Sequence, residues 1–423
     1  MSLFSSLLLP NGQLVPNRLA KAAMEENMAD DDHAPSDDLI RLYRAWGDGG
    51  VGLIITGNVM VDARAMTGPA GVVLETDQFL GRFRSWAQAG RCKGGQIWVQ
   101  LNHPGRQMPA DLGQPTLAPS GVALNLGAQS KLFPVPRAMS AADIDDVQRR
   151  FLNAALLAER AGFTGVEIHA AHGYLLSQFL SPLTNRRTDQ WGGSLENRAR
   201  LLFEIVRAVR AATKPDFAVA VKLNSTDFQR GGFSPEEARE IIHGLGTLKT
   251  DLVELSGGNY EAPVMMGDMN DERGLAHEAY FLELARMIGA SAPMPLMVTG
   301  GIRRYDVAAR VLQTGMAMAG MATALAIMPD LPVKWQSGQN GQRLAPNLRP
   351  VQWKNKALAA SARMAAVRYQ LIRVGQSRPV APAISPVWAL VRAWATGKCQ
   401  ARRYRQWMKA RGGAAPAKKS ALF

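Results

Sequence analysis

The chain reads as a closed barrel of eight parallel strands ringed by helices, a TIM (β/α)8 barrel, with a basic, mainly helical extension at its C-terminal end. Three observations predict this. Eight short apolar runs alternate with segments of helical period. No GxGxxG follows the first of those runs, which disfavours a doubly wound sheet, the other way to arrange such an alternation. The 423 residues, 47% of them hydrophobic, exclude a mainly disordered chain and suffice for one barrel of about 250 residues with insertions and an appendage.

The predicted strands lie at residues 18–22, 52–56, 96–100, 165–168, 218–224, 251–256, 296–299 and 316–321. Between them, Ser140 with Asp143 has the form of a capping box ahead of a helix, and Ser234-Pro235 sets an N-cap before a first-turn proline. Gly162 and the pair Gly49-Gly50 close helices. Two connections, 102–139 and 169–193, are long for their type. Both follow strands at the C-terminal face, where loops of this length serve as covers.

Charge divides the chain. The formal net charge is +14, yet residues 1–330 hold 31 basic against 35 acidic side chains, while residues 331–423 hold 18 Lys and Arg and no acidic residue. We therefore expect a barrel over residues 1–332 and a separate basic extension over 333–423. In the extension Leu358, Ala362, Ala365, Tyr369 and Ile372 recur at helical spacing, and Ser385-Pro386 opens a second helical segment that ends in ARRYRQWMKARG. Two readings follow. Either these helices pack on the barrel through Leu358, Tyr369, Ile372 and Trp388 with a solvated basic face, or they recruit nucleic acid or an anionic membrane. Cys92 and Cys399 are too few for a disulfide framework or a four-thiolate iron–sulfur site. The first residues lack a basic segment and meet Pro10 after three leucines, and no long apolar stretch occurs, so a cytoplasmic protein is expected.

The chemistry is expected in residues 165–200, GVEIHAAHGYLLSQFLSPLTNRRTDQWGGSLENRAR. Val166 and Ile168 mark a buried strand, so His169, His172 and Tyr174 arrive as that strand ends, at the face where barrels do chemistry. The H-x-x-H spacing invites a metal reading, but no third ligand converges: His33, His103, His243 and His277 show no grouping. Lys222 sits inside the apolar run VAVKLNS, where a cation without a partner costs several kcal/mol, so it must have one. Gly300-Gly301 and Gly320-Met321 follow the seventh and eighth strands, where barrels commonly bind phosphate.

EIHAAHGYLLSQFLSP and LTNRRTDQWGGSLENRAR closely resemble the corresponding segments of the old yellow enzyme family of FMN-dependent ene-reductases, and the resemblance runs over roughly residues 8–332. It implies FMN across the barrel mouth, NADH or NADPH as reductant and a small activated alkene as substrate. His169 and His172 would donate hydrogen bonds to the carbonyl oxygen of an enone, Tyr174 would protonate its α-carbon, and Tyr260 would wall the substrate pocket. Gln100 resembles the glutamine on the flavin pyrimidine, and Lys222 the cation at its N1–C2=O edge. NRLAKAAMEEN sets Ala23, Met24 and Glu25 along the ring, with Asn58 a further contact and Gly300, Gly301, Gly320 and Met321 about the phosphate. The sequence departs from the family in three places: Ala23 stands for the usual Pro, Glu25 for Thr or Cys, and Met321-Ala322-Thr323 where an Arg usually grips the phosphate. Two alternatives stay open. One is a dienoyl-CoA-reductase-like enzyme, whose iron–sulfur cluster and second flavin domain the two cysteines do not support; the other is a flavin-binding scaffold whose basic tail does the recruiting.

Overall fold

A computed structural model describes residues 1–262, 286–289, 291–353 and 355–413. Eight strands form its centre: β1 (Leu19–Lys21), β2 (Leu53–Met60), β3 (Gln96–Asn102), β4 (Gly165–Ala170), β5 (Ala218–Asn224), β6 (Leu252–Ser256), β7 (Leu296–Thr299) and β8 (Met318–Met321). Each pairs in parallel with the next, and β8 pairs back onto β1, so the sheet has closed into a barrel. Every strand falls on one of the eight apolar runs. β3 and β4 run two residues past their predictions, and β2 outruns its own furthest, because the register shifts between Ile55 and Asn58 and the strand continues to Met60. Gly57 occupies that bulge, and a Cβ there would fall 1.8 Å from the carboxylate of Glu26.

Alternation along each strand divides the core in two. Val166, Ile168 and Ala170 of β4 point outward into the large cluster beneath the helices. The lumen is apolar at its floor, where Leu53, Ile55, Trp98, Ala218, Ala220, Leu252, Met297 and Met318 meet Leu7, Leu9 and Val15. Those last three belong to an N-terminal hairpin, Leu7–Leu8 against Leu14–Val15, that plugs the bottom. Higher in the lumen the inward positions turn polar, and Gln100, Glu167, Lys222 and Glu254 are all buried there.

Around the barrel stand α1 (Asp37–Asp48), α2 (Leu80–Gly90), α3 (Ala141–Arg160), α4 (Leu195–Ala212), α5 (Pro235–Thr247) and α6 (Tyr305–Gln313). Ser140 with Asp143 and Ser234 with Glu237 both form capping boxes, and Pro235 takes the first turn of α5. Such caps are worth about 0.5–2 kcal/mol each and fix where α3 and α5 leave their strands.

The extension lies against the barrel. α7 (Lys356–Gly375) packs on α1, where Arg41 donates to the Gly375 carbonyl at 2.8 Å, and a Cβ on Gly375 would fall 2.5 Å from the Asp38 carbonyl. α8 (Pro386–Gly413) returns along α7 and ends over the loops after β2 and β3. Gln370 joins the two, exchanging hydrogen bonds with both the N–H and the carbonyl of Ala381. The expected packing residues are corrected here. Leu358 is 41% exposed and Trp388 56% exposed, because α7 turns Ala359, Ala362 and Ala366 inward and α8 turns Ala389 inward, while Ile372 does pack against the core as expected. The large anchor is instead Tyr404, wholly buried among Met60, Met66, Met108 and Leu112 with its hydroxyl donating to the Ala63 carbonyl at 2.8 Å.

Tyr404 therefore tests how firmly α8 is held. Tyr404→Phe should cost about 1 kcal/mol of unfolding free energy for the lost hydrogen bond, and Tyr404→Ala about 3–5 kcal/mol for the cavity. Urea titrations of both variants measure this, and equal costs would show that the ring does not anchor the helix.

Candidate active site

The top of β4 is built by a turn that needs two unusual backbone angles. His172 has φ 60° and Gly173 φ 73°, and a side chain at Gly173 would meet Gln107 and Asn259 at under 3 Å. Neighbouring loops hold this turn. The His172 N–H donates to Asn224 Oδ1 at 3.0 Å, and its carbonyl accepts from Gln107 Nε2 at 3.0 Å. The ring of His169 consequently lies edge-on to two others, with centroids 5.1 Å from His172 and 4.9 Å from Tyr174. The Tyr174 hydroxyl is 3.3 Å from that of Tyr260. Four of the predicted residues thus stand together at one mouth.

Their protonation follows from burial. Burial, reinforced for His169 by His172 and for both by Lys222, pushes both imidazoles well below their ordinary range. Each is a neutral ring with one N–H. His169 Nδ1 accepts from the Ala171 N–H at 3.2 Å, which leaves its proton on Nε2. His172 Nε2 lies 2.7 Å from the Ser256 hydroxyl. Burial also holds both phenols protonated, with Tyr260 pushed up to about 12 and Tyr174 well above its ordinary value, and the charge of Glu25 adds to both.

Beneath the rings, Lys222 Nζ lies 2.6 Å from Glu254 Oε1, its register partner on β6. Gln100 Nε2 donates to Glu167 Oε2 at 2.6 Å. The two carboxyls face each other and divide their roles. Burial and then the charge of Glu254 hold Glu167 well above the usual carboxylate range, so it keeps its proton. Burial opposes the charge on Glu254, but Lys222 and hydrogen bonds from Glu167, Lys222 and Thr299 outweigh it and keep Glu254 ionised. The group is neutral overall.

The remaining predicted residues lie around this centre. Ala23 packs against the lumen cluster, and Met24 is buried in the outer one. Glu25 accepts from Asn27 at 2.8 Å and from the Thr67 hydroxyl at 3.0 Å, and its other oxygen is 3.8 Å from Arg368 of α7. Asn58 donates to that same Thr67 hydroxyl at 3.1 Å. Gly300 and Gly301 are exposed, with Gly301 at φ 66°. Gly320 must be glycine, since a Cβ would fall 2.0 Å from Thr299 Oγ1. Met321 sends its side chain into the outer core, and its carbonyl accepts from the Ala22 N–H at 2.9 Å. Among the described residues no group of three His, Cys, Asp or Glu could hold a metal ion; His277 lies outside them.

The site fits a flavin mononucleotide on its own chemistry. Asn102, fully buried at the end of β3, has neither amide atom bonded to protein, and Gln100 two residues earlier on the same strand and Lys222 on β5 present further donors. Sequence reading missed Glu167, Glu254 and Ser256. The signal was present, because a carboxylate inside the apolar run LVELS is as anomalous as the lysine inside VAVKLNS.

A family model described as NADH:flavin oxidoreductase / NADH oxidase family matches residues 2–342. The chain is 40% identical to "NADH-dependent flavin oxidoreductase nadA" of Aspergillus parasiticus, over 68% of each protein. It is 37% identical to "NADH-dependent flavin oxidoreductase iliE" of a Neonectria species, over 77% of this chain but only 46% of that protein. Morphinone reductase superposes with a TM-score of 0.66 at 26% identity, covering 83% of this chain and 91% of the other. An old yellow enzyme homologue from Zymomonas mobilis, at 24% identity and TM-score 0.69 over 85% and 99%, shares the fold.

The carboxyl pair makes a prediction about stability. A protonated Glu167 in the folded state, against about 4.3 when unfolded, means that the protein loses about 1.4 kcal/mol of stability per pH unit as pH rises between those two values. Glu167→Gln keeps the shape and the donor to Glu254 but has no proton to lose. As pH rises above about 5 the variant should gain on the wild type in urea unfolding. A difference that does not change with pH would mean that Glu167 is ionised in the fold.

Proposed function

The chain belongs to the NADH:flavin oxidoreductase / NADH oxidase family, the old yellow enzymes, and from that premise we propose that it reduces activated alkenes such as α,β-unsaturated carbonyls, with FMN as cofactor and NADH or NADPH as reductant. One observation carries the choice of substrate. Three rings that each carry one hydrogen-bond donor, two neutral imidazoles and a protonated phenol, converge at the mouth beside a buried cation.

FMN, when bound, supplies the hydride that adds to the alkene β-carbon. Negative charge then grows on the substrate carbonyl oxygen, and His169 and His172 each direct one N–H to it. Because both rings are neutral beforehand, they stabilise the developing enolate without first losing a proton to solvent. Tyr174 gives its proton to the α-carbon, and Tyr260, within 3.3 Å, orients that hydroxyl. Lys222, fixed by Glu254, keeps positive charge at the flavin edge while Gln100, fixed by Glu167, presents its amide beside it. Asn102 and Asn58 offer further hydrogen bonds to the same group. The open loop at Gly300 and Gly301 suits its phosphate, with Arg303 and Arg304 directly after it in the chain.

Anaerobic stopped-flow measurements separate the two half-reactions. Flavin reduction by nicotinamide should survive His169→Ala with His172→Ala largely intact, whereas reoxidation by an enone such as cyclohexenone should slow by about 10²–10³-fold or more. Tyr174→Phe should slow the same step by about 10²–10⁴-fold. Equal losses in both half-reactions would make the histidines structural and remove the alkene reading, even if the protein is yellow.

A further inference from the structure

α8 has a face that the barrel does not use. At 100° per residue, Val387, Trp388, Val391, Trp394 and Ala395 fall within one arc of the helix, and Lys398, Arg402 and Lys409 continue the same arc toward its C-terminal end, while Arg405 bends down to the Asp111 carbonyl. The opposite side carries the residues that pack, Ala389, Leu390, Ala393 and then Ala401 and Tyr404. On the outer arc Val387 is 58% exposed, Trp388 56%, Val391 50% and Trp394 63%. Four large apolar side chains in a row on one exposed face are unusual in a folded protein, where such residues are normally scattered. The ammonium of Lys398 lies 3.7 Å from the Trp394 ring centroid, joining the apolar half of the arc to the basic half.

Charge decides what this face fits. Residues 331–423 contain no acidic side chain, so the extension repels a second copy of itself and attracts an anionic partner. The barrel carboxylates nearest to it are already engaged: Asp31 with Arg403, Glu75 with Arg411 and Glu25 with Arg368. Among the described residues no carboxylate pairs with Lys398 or Arg402. A nucleic acid would use the cations and could stack on tryptophan, but it has no use for two exposed valines in the same row. An amphipathic face with Trp and Val at one end and Lys and Arg at the other matches a lipid–water interface, where indole rings settle at headgroup depth and cations meet phosphate. The helix would lie on the bilayer, since no described helix is long and apolar enough to cross one.

We propose that the outer face of α8 docks on an anionic phospholipid bilayer, with Val387 and Val391 reaching the upper acyl carbons, Trp388 and Trp394 at headgroup depth, and Lys398 and Arg402 on the headgroup phosphates. None of these residues belongs to the catalytic or flavin-binding set, and the inference stands whether or not the alkene is the substrate.

The test uses full-length, flavin-loaded protein and two kinds of vesicle, phosphatidylcholine alone and phosphatidylcholine mixed with phosphatidylglycerol. Co-sedimentation should occur with the mixed vesicles and fall with added salt. Trp388→Ser with Trp394→Ser, and separately Lys398→Glu with Arg402→Glu, should each weaken it by at least about tenfold while flavin content and melting temperature stay as in the wild type. The wild type should also show a blue shift of tryptophan emission on the vesicles that the tryptophan variant lacks. The proposal fails if neither vesicle is bound, if both variants bind as the wild type does, or if a short RNA competes for the cations while lipid is ignored. A wild-type dimer in light scattering that becomes monomeric in the tryptophan variant would assign the face to a second copy instead.

Discussion

A single buried ion pair, Lys222 to Glu254, sets the terms for the upper half of the barrel. Taking two charges out of water costs several kcal/mol for each, and removing one partner alone costs about 3–5 kcal/mol, so the lumen around them must supply bonds in the right places. It does so by strand register. Lys222 is opposite Glu254 on one side and His169 on the other, so the strand alternation that points the cation inward points the catalytic candidate inward too. Glu167 sits two residues before His169 on the same face, keeps a proton, and lends it to Glu254 while gripping Gln100. Charge is thereby confined to one storey, between an apolar floor and a mouth of neutral donors.

Neutrality at the mouth is a consequence of that storey. A lysine below and burial all round make an imidazolium unfavourable at both His169 and His172. Two neutral rings cannot act as strong acids, but they are suited to hold charge that appears only during reaction. The phenols complete the division of labour, since they retain their protons far above neutral pH and one of them can give its proton up only to a strongly basic carbon. Geometry is held from outside the strand. Asn224, Gln107 and Ser256 fix His172, and a 2.5 Å ion pair between Arg106 and Glu261 ties the loop after β3 to the loop after β6.

Much of this was legible in the residues. Short apolar runs located all eight strands, and the serine caps located α3 and α5, because both signals are local and depend on residue type alone. Lys222 announced itself as a cation in an apolar run. Its partner did not, since Glu254 is thirty-two residues away and becomes adjacent only when β5 and β6 pair. Met321 ends β8 with its side chain turned outward into the core, as alternation along the strand requires. In α7 Ile372 packs against the core as expected, but Leu358 is left outside because the first turns bury Ala359 and Ala362 instead.

The basic extension carries this coupling beyond the barrel. Arg368 of α7 reaches Glu25, Glu25 accepts from Thr67, and Thr67 accepts from Asn58, which is in register with Gln100. A residue that departs from its family's pattern is thus met by a cation that lies beyond residues 2–342 of the family match. That pairing gives Glu25 a reason to persist so close to the flavin candidates. An isolated carboxylate there would oppose any negative charge that builds at the mouth, but one shared among an arginine, a hydroxyl and an amide has most of its field answered locally. The extension and the departure just after β1 therefore meet in one arrangement through the Arg368–Glu25 pair.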